Sequence, residues 1–169
     1  SIPSSLSLNH RRILEVFCSS LKNKGIEVLK QNRDATKWQP KFLTVSKEMT
    51  KIHHVKLSST SKKYGLFPTA ILWMKRFSGR PKDYTTALID KQGRGGVFLE
   101  ELVKVTATSK ADTEKLLPKK YQDKYKDSVS IILEYTLNGD SRSITMRCKT
   151  TEDAHFICTG LRLSMNVYR

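Results

Sequence analysis

The sequence predicts a mainly β domain, an antiparallel barrel or sandwich closed by a terminal amphipathic helix and preceded by a second helix. Three observations predict it. Apolar runs of strand length, bounded by Gly, Asn, Pro and Ser, fill the middle of the chain. Apolar residues at helical spacing cluster at the two ends, around Phe17 and around Ile157. The 169 residues suffice for one domain with a real core and are too few for two comfortable ones.

The elements follow in order. Residues 1–8 form a Ser-rich lead without periodicity, expected to be flexible. Residues 9–24 are expected to form an amphipathic helix. Asn9 is placed to cap it, Ile13, Leu14, Phe17, Cys18 and Leu21 recur along one face, and Gly25 supplies the left-handed turn that ends it. Packing on the domain is the expected fate of that face. A membrane-facing helix is the alternative, because Arg11, Arg12, Lys22 and Lys24 flank the stripe. The domain proper is expected over 25–169, with an insertion at about 58–95.

Strands are predicted at Ile26–Gln31, Lys41–Ser46 and Lys51–Leu57. The run from Thr69 to Phe77 suits a short helix or a strand. It is expected to be buried, with entry into a bilayer through Leu72 and Trp73 as the alternative. Gly93-Arg94-Gly95-Gly96 is a turn, not a phosphate-cradling loop: it lacks the Lys-Ser/Thr pair and precedes a strand. Val97–Thr108 is a strand, kinked at Glu100-Glu101, and 111–127 is a lysine-rich loop with one helical turn. Val129–Leu137 and Ser143–Lys149 form a hairpin across Asn138-Gly139-Asp140, because Asn-Gly accepts positive φ. Thr151 caps the last helix, and Glu152 and Asp153 suit its N-terminal dipole. Ala154, Phe156, Ile157, Leu161 and Leu163 form its apolar face, continuing toward Met165 and Val167.

The formal charge is +15, unevenly distributed. From Lys30 to Lys82 there are 13 basic residues against two acids, Asp34 and Glu48, whereas the remainder holds 18 against 14. Such asymmetry predicts a polyanionic partner, a phospholipid surface or a nucleic acid. The loop between the first two strands is the focus. Antiparallel strands bring their ends and the joining loop to one rim, so Lys30, Arg33, Lys37 and Lys41 would form a cup for phosphate. His54, Lys56, Lys62, Lys63, Arg76, Arg80 and Lys82 are the candidates to complete it. A solvated basic hairpin loop is the plainer reading. His53 and His54 are adjacent in a predicted strand and point to opposite faces, so they cannot chelate one metal together.

Other function classes find little support. No motif of paired catalytic residues is present, so an enzyme is not expected, and neither a cofactor nor a metal is expected. No RNA-binding aromatic motif, zinc spacing or recognition-helix pattern points to nucleic acid. Cys18, Cys148 and Cys158 are odd in number and widely spaced, which suits reduced thiols. No apolar run approaches the roughly 18 residues of a membrane span. The chain begins at Ser1, so a trimmed chain is expected, and any lipidation signal would lie upstream of it.

The segments G-I-E-V-L-K, K-W-Q-P-K-F-L-T-V-S, G-V-F-L-E-E-L-V-K-V and R-S-I-T-M-R-C-K-T-T-E-D-A-H-F-I-C-T-G-L together resemble a pleckstrin-homology domain over about Gly25 to Val167. The resemblance implies a seven-stranded antiparallel barrel or sandwich closed by a C-terminal helix, here with an extra N-terminal helix. It implies phosphate contacts from Lys30, which ends the first strand, and Lys41, which begins the second. The sequence departs from the family at Gln39, where a basic residue is usual, and in the final helix, where Phe156 or Ile157 stands for the usual Trp. The leading helix, the lysine content and the last helix look like the acylated pleckstrin-homology proteins of apicomplexans. That resemblance implies N-terminal acylation by myristate and palmitate, and a peripheral place on the cytoplasmic face of the microneme membrane. It also implies phosphatidic acid as ligand and a role in regulated microneme secretion. The inner-membrane-complex subcompartment proteins and the pleckstrin-homology domain of a phosphoinositide phospholipase C stay open as relatives. A monomer is expected, and a protein-binding adaptor is the alternative function.

Overall fold

The computed structural model describes residues 7–32, 34–46, 48–49, 67–75, 88–108 and 117–168. The expected third strand, Lys51–Leu57, lies outside them, as does most of the expected insertion.

Helix α1, Leu8–Asn23, begins one residue before the predicted start. Ser7, not Asn9, caps it: its Oγ accepts the His10 N–H at 3.1 Å. Gly25, at φ 68°, turns the chain out of the helix. Strands β1, Ile26–Gln31, and β2, Trp38–Val45, then pair antiparallel from Ile26↔Leu43 to Gln31↔Trp38. Asn32 ties their connection. Its Oδ1 accepts the N–H groups of Thr36 and Lys37 at 2.9 and 3.0 Å.

Two residues of backbone, β3 at Glu48–Met49, pair with β4 at Phe67–Pro68. The uncertain run after it contains a strand, β5, Ala70–Met74, which pairs with β2. Leu72 is fully buried and Trp73 is 5% exposed, so neither side chain is displayed to a bilayer. The strand expected from Val97 to Thr108 is two strands. β6, Gly96–Phe98, ends at a 3-10 turn, Leu99–Glu101, and β7, Leu102–Ala107, follows. One turn of helix, α2, Lys119–Gln122, leads to the hairpin of β8, Val129–Leu137, and β9, Asp140–Cys148. Asn138 and Gly139 adopt φ of 53° and 84°, as their residue types favour. Helix α3, Thr151–Val167, closes the chain. Its cap is Thr150 rather than Thr151, through the Asp153 N–H at 3.1 Å.

Seven strands form one antiparallel sheet in the order β6-β5-β2-β1-β9-β8-β7. Its two outermost strands, β6 and β7, are joined by only the three residues of the 3-10 turn. The sheet must therefore curl until its edges meet at that corner, which produces a sandwich-like, mainly β fold with capping helices. The concave face carries Val28, Leu43, Ile71, Leu133 and Met146, and α3 lays Ile157 and Leu161 against the same core. Helix α1 adds Leu14, Phe17 and Leu21, all buried. Leu14, Phe17 and Leu21 of the expected stripe are thus used for packing, with Cys18 partly buried beside them, whereas Ile13, expected on that face, is exposed. Leu8 and Val16 are also exposed on the same helix. Phe17 sits over Gly160 so closely that a Cβ there would come within 2.1 Å of its ring.

The convex face has its own cover. Leu29, Leu117 and Tyr125 are buried together, with Trp38 and Tyr121 against them. Arg147 is enclosed there, its guanidinium 5.2 Å from the centre of the Trp38 ring.

Candidate functional site

Strand alternation decides which side chains reach the open end of the sheet. On β1, Val28 faces the core, so Lys30, two residues on, shares that face nearer the strand's end. On β2, Leu43 is in the core, and Lys41 and Gln39 continue its face outward. Lys30 and Gln39 are register partners, as are Val28 and Lys41. On β9, Met146 is in the core and Ile144 packs on it, which places Arg142 at the same end, paired with Tyr135 of β8. Helix α3 departs from the other end of β9.

These ends surround a cleft of about 520 Å³. Lys30, Lys41, Arg94 and Arg142 bring cationic groups to it, and among the described residues Asp34 is the acid on its wall. Trp73, Tyr135 and Ile144 supply its apolar lining. Lys30 Nζ lies 5.3 Å from the Trp73 ring centre, within the range of a cation–π contact. Arg94 is committed to a partner: its Nε meets Asp90 Oδ2 at 2.6 Å. Backbone and side-chain donors of Arg94 hold Asp90 below the usual carboxylate range. A second cleft of about 350 Å³ adjoins the first, sharing Tyr135, Arg142 and Ser143.

The predicted cup is reassembled differently. Lys30 and Lys41 both line the cleft, whereas Lys37 is exposed and outside its lining. Arg33, His54, Lys56, Lys62, Lys63, Arg76, Arg80 and Lys82 lie outside the described residues. Arg142, Arg94 and Trp73 were not among the predicted residues. Arg142 had a legible signal, since it alternates with Ile144 and Met146. A strand beginning at Ser143 excludes it, whereas the two-residue turn extends pairing to Leu137↔Asp140. Arg94 had none, because a turn around Asp90 directs it. Asp90 Oδ1 accepts the N–H groups of Gln92 and Arg94 at 3.0 and 2.9 Å.

What this arrangement can do is bind. Three strands present cations to one cavity beside an indole and a phenol, a setting for an oxyanion with an attached organic group. Burial pushes the Cys148 thiol well above its usual range, which keeps it in the unreactive protonated form. Among the described residues no group of three His, Cys, Asp or Glu could hold a metal ion. No described helix is long and apolar enough to cross a membrane. No protein-family model matches the chain, and a search of curated proteins finds no match either.

Proposed function

We propose that this chain is a non-catalytic, pleckstrin-homology-like domain that recognises a phosphate headgroup on an anionic membrane, with phosphatidic acid preferred. The observation that carries the reading is the convergence of Lys30, Lys41 and Arg142, from β1, β2 and β9, on one cleft. Arg94 is tied to Asp90 and Asp34 adds a negative rim, which favours one phosphate over several. Each basic residue near an anionic surface contributes on the order of 1 kcal/mol, so the mouth and the surrounding lysines suffice for reversible attachment. An acyl chain upstream would complement it, since one myristoyl group alone gives only about 10⁴ M⁻¹. With the resemblance in sequence, the same proposal places the protein on the cytoplasmic face of an intracellular membrane, the microneme surface, in regulated secretion.

The test is co-sedimentation with vesicles containing phosphatidic acid, phosphatidylserine or phosphoinositides at matched charge. Lys30→Glu combined with Lys41→Glu is expected to abolish pelleting and Arg142→Gln to weaken it, each with a thermal midpoint close to that of the wild type. Unchanged pelleting of the double variant would refute the mouth as the contact. Exposed Leu8 and Val16 on α1 favour a second reading, a protein-binding adaptor. Binding to a soluble acidic peptide without binding to vesicles would select it.

A further inference from the structure

The mouth holds polar hydrogens that no acceptor among the described residues uses. Trp73 is 5% exposed and lines the cleft, and its Nε1–H meets no acceptor among the described residues. Arg142, also in the lining, has an enclosed Nε in the same condition. An indole can only donate. Buried tryptophans usually find a partner for that hydrogen, and an orphan donor in a native fold needs a reason. Lys30 rests above the same indole, 5.3 Å from its centre. The cleft is also large for its proposed guest. At about 520 Å³, against about 30 Å³ for each molecule of liquid water, it exceeds what a five-atom phosphate occupies.

We infer that Trp73 is a second reading point of the mouth, whose indole N–H donates to an ester or hydroxyl oxygen of a phosphorylated glycerol while Lys30 leaves the ring for the phosphate. The inference rests on the anion-binding reading of the mouth and adds a specificity residue to it. Lys30, Lys41 and Arg142 recognise charge, which any phosphate satisfies. Trp73 recognises an ester or hydroxyl oxygen of the glycerol beside that charge, and inorganic phosphate has no glycerol. A lipid headgroup and a free glycerol phosphate share this chemistry.

The chain has two tryptophans, so ¹⁵N-labelled Trp38→Phe protein retains a single indole resonance, that of Trp73. It is titrated with inorganic phosphate, glycerol 3-phosphate and dihexanoyl phosphatidic acid, with the Lys30 and Gln39 amides reporting occupancy of the mouth. The expected result is that either glycerol ester moves the indole resonance well beyond the shift inorganic phosphate causes by drawing Lys30 off the ring, the tighter of the two naming the source. Trp73→Phe is expected to weaken the glycerol esters about tenfold and inorganic phosphate by less than about twofold. Amides that respond to the esters without the indole overturn the role of Trp73 and leave the mouth standing. Equal weakening of all three probes by Trp73→Phe does the same. Amides that respond to no probe overturn the mouth itself. The indole shift needs no change at Trp73, so it decides the matter even where the variant fails to fold.

Discussion

Glu27 joins three distant pieces of chain. Lys124 and Lys149 each donate from Nζ to a different oxygen of its carboxylate, both at 2.8 Å. Partial burial by itself would raise the carboxyl's pKa. The hydrogen bonds from Lys124 and Lys149 outweigh it and hold the group below the ordinary glutamate range. A carboxyl with a depressed folded pKa contributes stability that is complete above its unfolded value, about 4.3, and is lost as pH falls through the folded one. Wild type is therefore expected to exceed Glu27→Gln in urea midpoint by a constant margin above about pH 5, a margin that closes at lower pH. A margin that persists to about pH 2 would show that the ion pairs are not its source. Sequence reading could not find this pairing, since Lys124 lies 97 residues from Glu27. The mouth shows the same limit. Lys30 and Lys41 were legible because they lie near the loop that joins adjacent strands, although β2 begins at Trp38 and not at the expected Lys41, whereas Arg94 reaches the mouth through a turn that only the assembled structure positions.

At the scale of elements, the two terminal helices hold each other. Phe17 of α1 packs edge-on to Phe156 of α3, with ring centres 5.6 Å apart, and covers Gly160. The Thr44 hydroxyl of β2 donates to the Leu21 carbonyl at 2.6 Å, fixing the other end of α1. A methyl group at Gly160 would collide with the Phe17 ring rather than with a mobile tip. Gly160→Ala is expected to cost about 1–3 kcal/mol in denaturant unfolding. Phe17→Leu in the same chain is expected to recover part of that cost. Purely additive losses in the double variant would show that the two residues do not meet. The existence of both helices was legible from their periodicity. Their first residues were not, because Ser7 and Asn9, and likewise Thr150 and Thr151, are all competent caps. The break at Leu99–Glu101 was legible only as a kink. Whether a kinked strand stays in one ladder depends on where its second half finds a partner. Here β7 pairs with β8, at the opposite edge of the sheet from β6.

For the whole molecule, charge acts at two ranges. On the proposed reading, the net +15 draws the protein to an anionic surface and the cleft engages one group at contact distance. Salt separates the two, because the screening length shortens from about 10 Å at 0.1 M to about 3 Å at 1 M. Binding to phosphatidylserine vesicles is expected to be lost as salt rises through this range. Binding to phosphatidic acid at matched surface charge is expected to decline less steeply. Parallel decline on both lipids, measured by co-sedimentation, would reduce the interaction to surface attraction and remove headgroup selectivity.

The linear order of residues determined the class of fold, the two amphipathic helices, the β8–β9 hairpin and the basic bias, because periodicity, turn chemistry and charge are local or additive properties. Tertiary structure alone decided how the sheet curls, that Ala70–Met74 is a strand and not a helix, and that Arg94 and Trp73 stand beside Lys30 and Lys41. Those outcomes depend on pairing between strands far apart in the chain, and the energy that selects one pairing belongs to the completed core.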